Sequence, residues 1–205
     1  MPSKAGVSRG SVVRLEDFRR DGTEKKSPSP SPIVRTLRDQ RVLAFDQSVA
    51  NTGWALVAVV GGVPRVLRTG MVVTEPSGEA QMLDMLRRAM ITYANVRSVI
   101  LANEPQLIVH EIPLGGRGAS LKGASSSLLA SLAVRIAASE EHIETEMVSG
   151  NRVKAHITGS GKASKSEVAA AVRARLPGLK EQKPGPLNEH VYDAIGIALT
   201  HLEQP

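Results

Sequence analysis

From residue 41 onward, apolar and polar positions follow two rhythms, one of period two and one of period near 3.6. Residues 42–45 are a short apolar run that stops abruptly at Asp46, the pattern of a buried strand. Residues 53–60 read as a second strand, Gly61 and Gly62 supply the positive-φ pair of a tight hairpin turn, and residues 63–73 return as a third. Residues 79–102 place Met82, Leu86, Met90, Tyr93, Val96 and Ile100 at helical spacing. Residues 106–111 form a fourth strand, apolar and then abruptly charged at its end. A helix over 119–139 carries Leu121, Leu128, Leu132 and Ile136 on one face, and residues 143–148 form a fifth strand. Ser164 and Glu167 have capping-box spacing and open a helix that runs to Leu176. Beyond the Pro184–Pro186 break, a last helix from about Leu187 to Leu202 turns Leu187, Val191, Ala194, Ile195, Ala198 and Leu202 inward. The order β-β-β-α-β-α-β-α-α predicts an α/β fold, a five-stranded mixed sheet with helices on both faces.

Residues 1–38 break this regularity. They hold nine Lys/Arg and a Ser-Pro alternation over 27–32, with no apolar period. Such a segment buries too little apolar surface to offset its ordering entropy, so a disordered basic arm is expected, with the folded domain spanning 39–205. The arm either slides on DNA or is a passive tail; both readings stand.

Composition narrows the class. With 205 residues, 41% of them hydrophobic, the chain can bury one full core, and the absence of cysteine excludes disulfides and thiolate metal sites. There is no run of eighteen apolar residues and no apolar signal region, so a soluble cytoplasmic protein is expected. The net charge of +6 and pI near 9.9 favour a polyanionic partner. Aromatic residues make up only 2% of the chain, too few for a base-stacking platform. Nucleic acid would therefore be gripped by its phosphates and shape.

Three acids stand where apolar elements end or turn inward: Asp46 after strand one, Glu111 after strand four, and Asp193 in the final helix. Burying charge beside a core is costly unless a partner compensates it. Strands one and four are expected as neighbours, which would set Asp46 beside Glu111. Phosphodiester hydrolysis uses such acids, because two magnesium ions roughly 3.5–4 Å apart can activate a water and stabilise the leaving oxygen. Magnesium takes hard oxygen ligands and keeps several waters, so a few carboxylates or imidazoles suffice. His190 lies on the same helical face as Asp193 and Glu189 lies one turn before it. Either could join the set.

These segments resemble the RuvC-type Holliday junction resolvases. LAFDQSVANTGW at 43–54 is similar to that family's first strand, catalytic aspartate and Thr-Gly turn, and LIVHEI at 107–112 to its glutamate-bearing strand. RVKAHITGSGKASKSEV at 152–168 resembles its Val-Lys…Thr-Gly-x-Gly-x-Ala-x-Lys segment, and EHVYDAIGIALTH at 189–201 its C-terminal acidic helix. The resemblance implies a ribonuclease-H-like fold, a homodimer, two magnesium ions with manganese as a substitute, and paired nicks in four-way or related branched DNA. It assigns metal binding to Asp46, Glu111 and Asp193, favours His190 as fourth ligand, and places Lys154 and Lys165 on the scissile phosphate and backbone. Lys162 belongs to the same basic segment, and Gly159 and Gly161 let the chain approach DNA closely.

Two features depart from the family pattern. Leu114 stands where an aromatic often wedges the junction, although an apolar side chain can also intercalate. The adjoining 115–118 segment, Gly-Gly-Arg-Gly with Arg117 as its cation, makes that loop basic and flexible. The leucine-bearing helix over 119–139 can serve both core and dimer. Two readings from other classes compete with the nuclease. One is an actin-like phosphotransferase or ATPase, whose first phosphate loop residues 46–53 resemble, and the other is a branched-DNA binder without catalysis.

Overall fold

The computed structural model describes residues 40–113, 121–176, 178–179 and 188–203, with the backbone alone at 121–122. The N-terminal arm, Leu114, Arg117 and Leu187 lie outside the described residues. The elements are β1 (Arg41–Asp46), β2 (Asn51–Val60), β3 (Val63–Val73), α1 (Gln81–Asn103), β4 (Leu107–Glu111), α2 (Leu121–Glu140), β5 (Thr145–Val148), α3 (Gly150–Thr158), α4 (Lys165–Arg175) and α5 (Glu189–Leu202). The strands form one sheet in the order β3-β2-β1-β4-β5. β1 runs antiparallel to β2 and parallel to β4, and β4 runs parallel to β5. Gly61 and Gly62, at φ 61° and 77°, make the β2–β3 turn as their sequence requires.

Alternation along β1 divides the core into two layers. Val42 and Ala44 pack with Val153 of α3, Val168 and Val172 of α4, and Ile195 of α5. Leu43 and Phe45 pack on the other side with Val96 and Ile100 of α1 and with Val134 and Ala137 of α2. The expected mixed five-stranded sheet with helices on both faces is what forms.

Three expectations need correction. Residues 150–158, assigned no helix or strand from the sequence, form helix α3. Its only inward apolar residues, Val153 and Ile157, are too few to show a helical period, but Ser149 caps it by accepting a hydrogen bond from the Arg152 N–H. On α1 the inward stripe is Met85, Thr92, Val96, Ile100 and Asn103, while Met82, Leu86 and Met90 are exposed. Two apolar stripes compete on that helix, and the one turned inward packs on the sheet through Val96 and Ile100 and on Ala130 of α2 through Met85, with Ala89 half-buried beside it. On α2 the core face is Ala130, Ala133, Val134, Ala137 and Ala138, and Leu128, Leu132 and Ile136 face outward. Small residues let α2 lie close to the sheet and to α1; the leucines are left over. Among the described residues no helix is long and apolar enough to cross a membrane.

Candidate active site

The pocket of interest lies at the carboxyl ends of the parallel strands. β1 delivers Asp46 and β4 delivers Glu111 from adjacent positions in the sheet. α5 supplies His190 and Asp193 from its first turns. Its close approach depends on Gly53, the β2 residue paired with Asp46, because a Cβ there would fall inside the His190 backbone. α3 begins at Gly150, where a Cβ would collide with the Glu111 carboxylate. Neither glycine adopts a positive φ; Gly53 is required by close approach of backbone, and a side chain at Gly150 would displace the Glu111 carboxylate.

Asp46, Glu111, Lys154, Lys165, His190 and Asp193 line a single cavity of about 320 Å³, floored by Val153, Val168 and Ile197. Asp46, His190 and Asp193 keep 17%, 21% and 25% of their side-chain surface exposed, so solvent reaches them. Gly150, Lys165 and His190 stand in the first turns of α3, α4 and α5, so the positive ends of three helices open here.

The electrostatics show too much negative charge for the site to hold alone. Burial, and then the charges of Asp46 and Asp193, raise the Glu111 carboxyl to about 7. Burial, and then Asp46, raise Asp193 to about 6. Lys154 and the Gly150 backbone N–H pull Glu111 the other way without prevailing. His190 Nδ1 sits 2.7 Å from Asp46 Oδ2, and that hydrogen bond raises the imidazole above its ordinary value. Like charges held together at a solvent-reachable pocket are relieved by protons or by a cation.

The residues present fit a divalent cation in donor chemistry: three carboxylates and an imidazole, with no sulfur. Among the described residues no three of these groups close tightly on one point. The acids line a wall instead, which suits an ion that keeps most of its water and is completed by a phosphate.

The cavity gathers all four expected ligands and Lys154 and Lys165. Glu189 does not line it; its carboxylate takes a hydrogen bond from Lys165 Nζ at 3.0 Å on the exposed side. Gly159 caps the C-terminus of α3 at φ 82°, and Gly161 and the exposed Lys162 follow in the turn toward α4, outside the pocket wall. Sequence reasoning missed Gly150 and Gln47. A glycine after a capping serine at a strand end was a usable signal for the first. Gln47 left none, because its role depends on a strand 64 residues away.

The family model described as crossover junction endodeoxyribonuclease RuvC matches residues 42–201. The chain is 29% identical over 163 residues to the RuvC of Zymomonas mobilis, covering 78% of this chain and 88% of that one. It is 32% identical over 163 residues to the RuvC of Thermus thermophilus, covering 78% and 92%. A solved structure of T. thermophilus RuvC in complex with Holliday junction substrate superposes with a TM-score of 0.64 at 30% identity, over 79% of this chain and 92% of that one. The yeast mitochondrial Holliday junction resolvase shares the fold, with a TM-score of 0.56 at 11% identity over 80% of this chain and 78% of that one.

Proposed function

The chain belongs to the crossover junction endodeoxyribonuclease RuvC family, and on that premise we propose that it cuts four-way DNA junctions by paired phosphodiester hydrolysis dependent on two magnesium ions. The observation that carries this reading is the wall of three carboxylates, where burial and then mutual repulsion hold Glu111 and Asp193 above the ordinary carboxylate range. Asp46, Glu111, His190 and Asp193 would hold the ions, and manganese can take the place of magnesium. The ions supply positive charge that activates a water and stabilises the leaving oxygen.

The remaining work falls to the protein. Asp46 and Glu111 stand at the ends of adjacent parallel strands, one residue beyond their last paired positions, so the sheet brings them to the same edge of the pocket. The His190 imidazole accepts its orientation from Asp46, which keeps the ring facing the pocket. Lys154, half-buried in the same wall, offers a phosphate oxygen a cation that the acids alone would repel. Lys165, anchored at 3.0 Å to Glu189, stands at the rim and can follow the DNA backbone, with Lys162 beyond it. Gly159 and Gly161 keep that stretch low enough for the duplex to pass.

Two cuts in a symmetric junction need two equivalent sites, and a homodimer supplies them. Leu128, Leu132 and Ile136 of α2, left exposed by the core, are the apolar face we assign to that contact. Leu114 and Arg117 would meet the junction centre, and the basic segment 1–38 would add sequence-independent attraction for DNA. The protein would act in the cytoplasm.

The test is cleavage of a labelled four-way junction with Mg²⁺, set beside linear duplex and Asp46→Asn. Paired nicks in the junction by the wild type, with binding but no cutting by Asp46→Asn, are expected. Equal cutting of linear duplex would reduce the reading to a general nuclease, and junction binding without cutting would leave a non-catalytic binder.

A further inference from the structure

The hydrogen-bonded ladder between β1 and β4 stops one residue short of the acids. It pairs Val42 with Leu107 and runs to Phe45 with His110. Beyond that point the strands lean on different neighbours, Asp46 on Gly53 of β2 and Glu111 on Val148 of β5. One side chain spans the gap. Gln47 Nε2 donates to the Glu111 carbonyl at 2.6 Å, and Gln47 Oε1 accepts from the Glu111 N–H at 3.2 Å. The primary amide thus imitates one more peptide unit of the ladder. Gln47 is only 6% exposed, so water does not compete for either bond. Both bonds go to main-chain atoms of Glu111, so neither occupies its carboxylate, which lines the pocket.

We propose that Gln47 is a positioning residue that fixes the spacing between Asp46 and Glu111 and so sets the affinity of the site for divalent cations. The proposal rests on the reading of this pocket as a metal site. Ions shared between carboxylates from two strands bind only as well as those strands keep station, and Gln47 is the clamp nearest both acids. An outer residue of this kind acts through ligand geometry and touches neither ion nor substrate.

The test uses the full chain without DNA, titrated with Mn²⁺ while free Mn²⁺ is followed by electron paramagnetic resonance. Gln47→Met removes both hydrogen bonds at nearly constant volume, and Gln47→Asn keeps the amide but cannot reach. Both variants should bind Mn²⁺ on the order of tenfold more weakly than the wild type, with the folded fraction checked by melting. A merely structural glutamine would lower the melting temperature and leave the affinity of the folded protein unchanged; that result overturns the proposal, as does failure of both variants to fold. A wild type that binds no Mn²⁺ removes the clamp together with the metal site. A wild type that binds Mn²⁺, loses affinity in both variants and yet leaves junctions uncut upholds Gln47 while rejecting the nuclease reading.

Discussion

His110 and Glu111 are consecutive on β4, and the pleat sends them to opposite layers of the molecule. His110 is fully buried on the α1–α2 side, where burial pushes its imidazole down to about 4 and Nε2 has no partner among the described residues. Glu111 faces the α3–α5 side, where burial and two further acids push its carboxyl up to about 7. Both groups are driven toward neutrality, but only one has a remedy. A cation can enter the solvent-reachable pocket around Glu111, whereas His110 is fully enclosed. The same desolvation that makes one site responsive makes the other merely expensive.

The largest effect expected from breaking this contrast comes from Glu111→Gln. If Glu111 is a ligand as proposed, its loss removes several kcal/mol of transition-state stabilisation, so junction cleavage should fall about a thousandfold or more. The same change should strengthen the metal-free protein. A carboxyl raised from 4.5 to about 7 binds its proton more tightly when folded, so its contribution is intact below pH 4.5 and lost as pH rises through about 7. Wild-type melting without metal should therefore weaken across that window, by about 3 kcal/mol at full extent. Mg²⁺ should restore it, and Glu111→Gln should flatten the profile. A flat wild-type profile would mean that burial and the neighbouring acids do not raise the Glu111 carboxyl.

Next in size is the outer face of the α1–α2 layer. Leu132→Glu combined with Ile136→Glu should convert the proposed homodimer to monomers in sedimentation, while monomer stability changes by no more than about 0.5 kcal/mol because both side chains are exposed. Retention of the dimer would move the contact elsewhere.

His110 tests the mute side of the comparison. Its depressed imidazole contributes stability that is complete above pH 6.5 and declines as pH falls through about 4. His110→Leu should remove that acid loss, gaining about 2 kcal/mol over wild type between pH 8 and pH 5 in melting experiments. A parallel acid decline in both proteins would assign it to other groups. The smallest effect belongs to Lys154→Ala, which should shallow the dependence of log affinity for junction DNA on log salt by about one. An unchanged slope would deny Lys154 a phosphate.

How much of this was readable beforehand varies with how local the cause is. Asp46 and Glu111 each terminate an apolar run, and the neighbouring of β1 and β4 follows from topology, so both were legible. Asp193 and His190 were legible as a helical pair, although choosing His190 over Glu189 needed the resemblance to relatives. Helix α3 was hidden because Val153 and Ile157 are its whole inward face. The α2 leucines misled, since an apolar stripe records what a helix offers and not which surface the sheet accepts.

Apolar runs ending in acids, the hairpin glycines, the capping serines and the family likeness are properties of neighbouring residues, and the amino-acid order alone settled them. Convergence of Asp46, Glu111, His190 and Asp193 on one cavity, the displaced protonation of two of its acids, and the clamp from Gln47 to Glu111 arise only when distant segments meet. Desolvation and charge repulsion depend on what lies across space, and no local pattern carries that information.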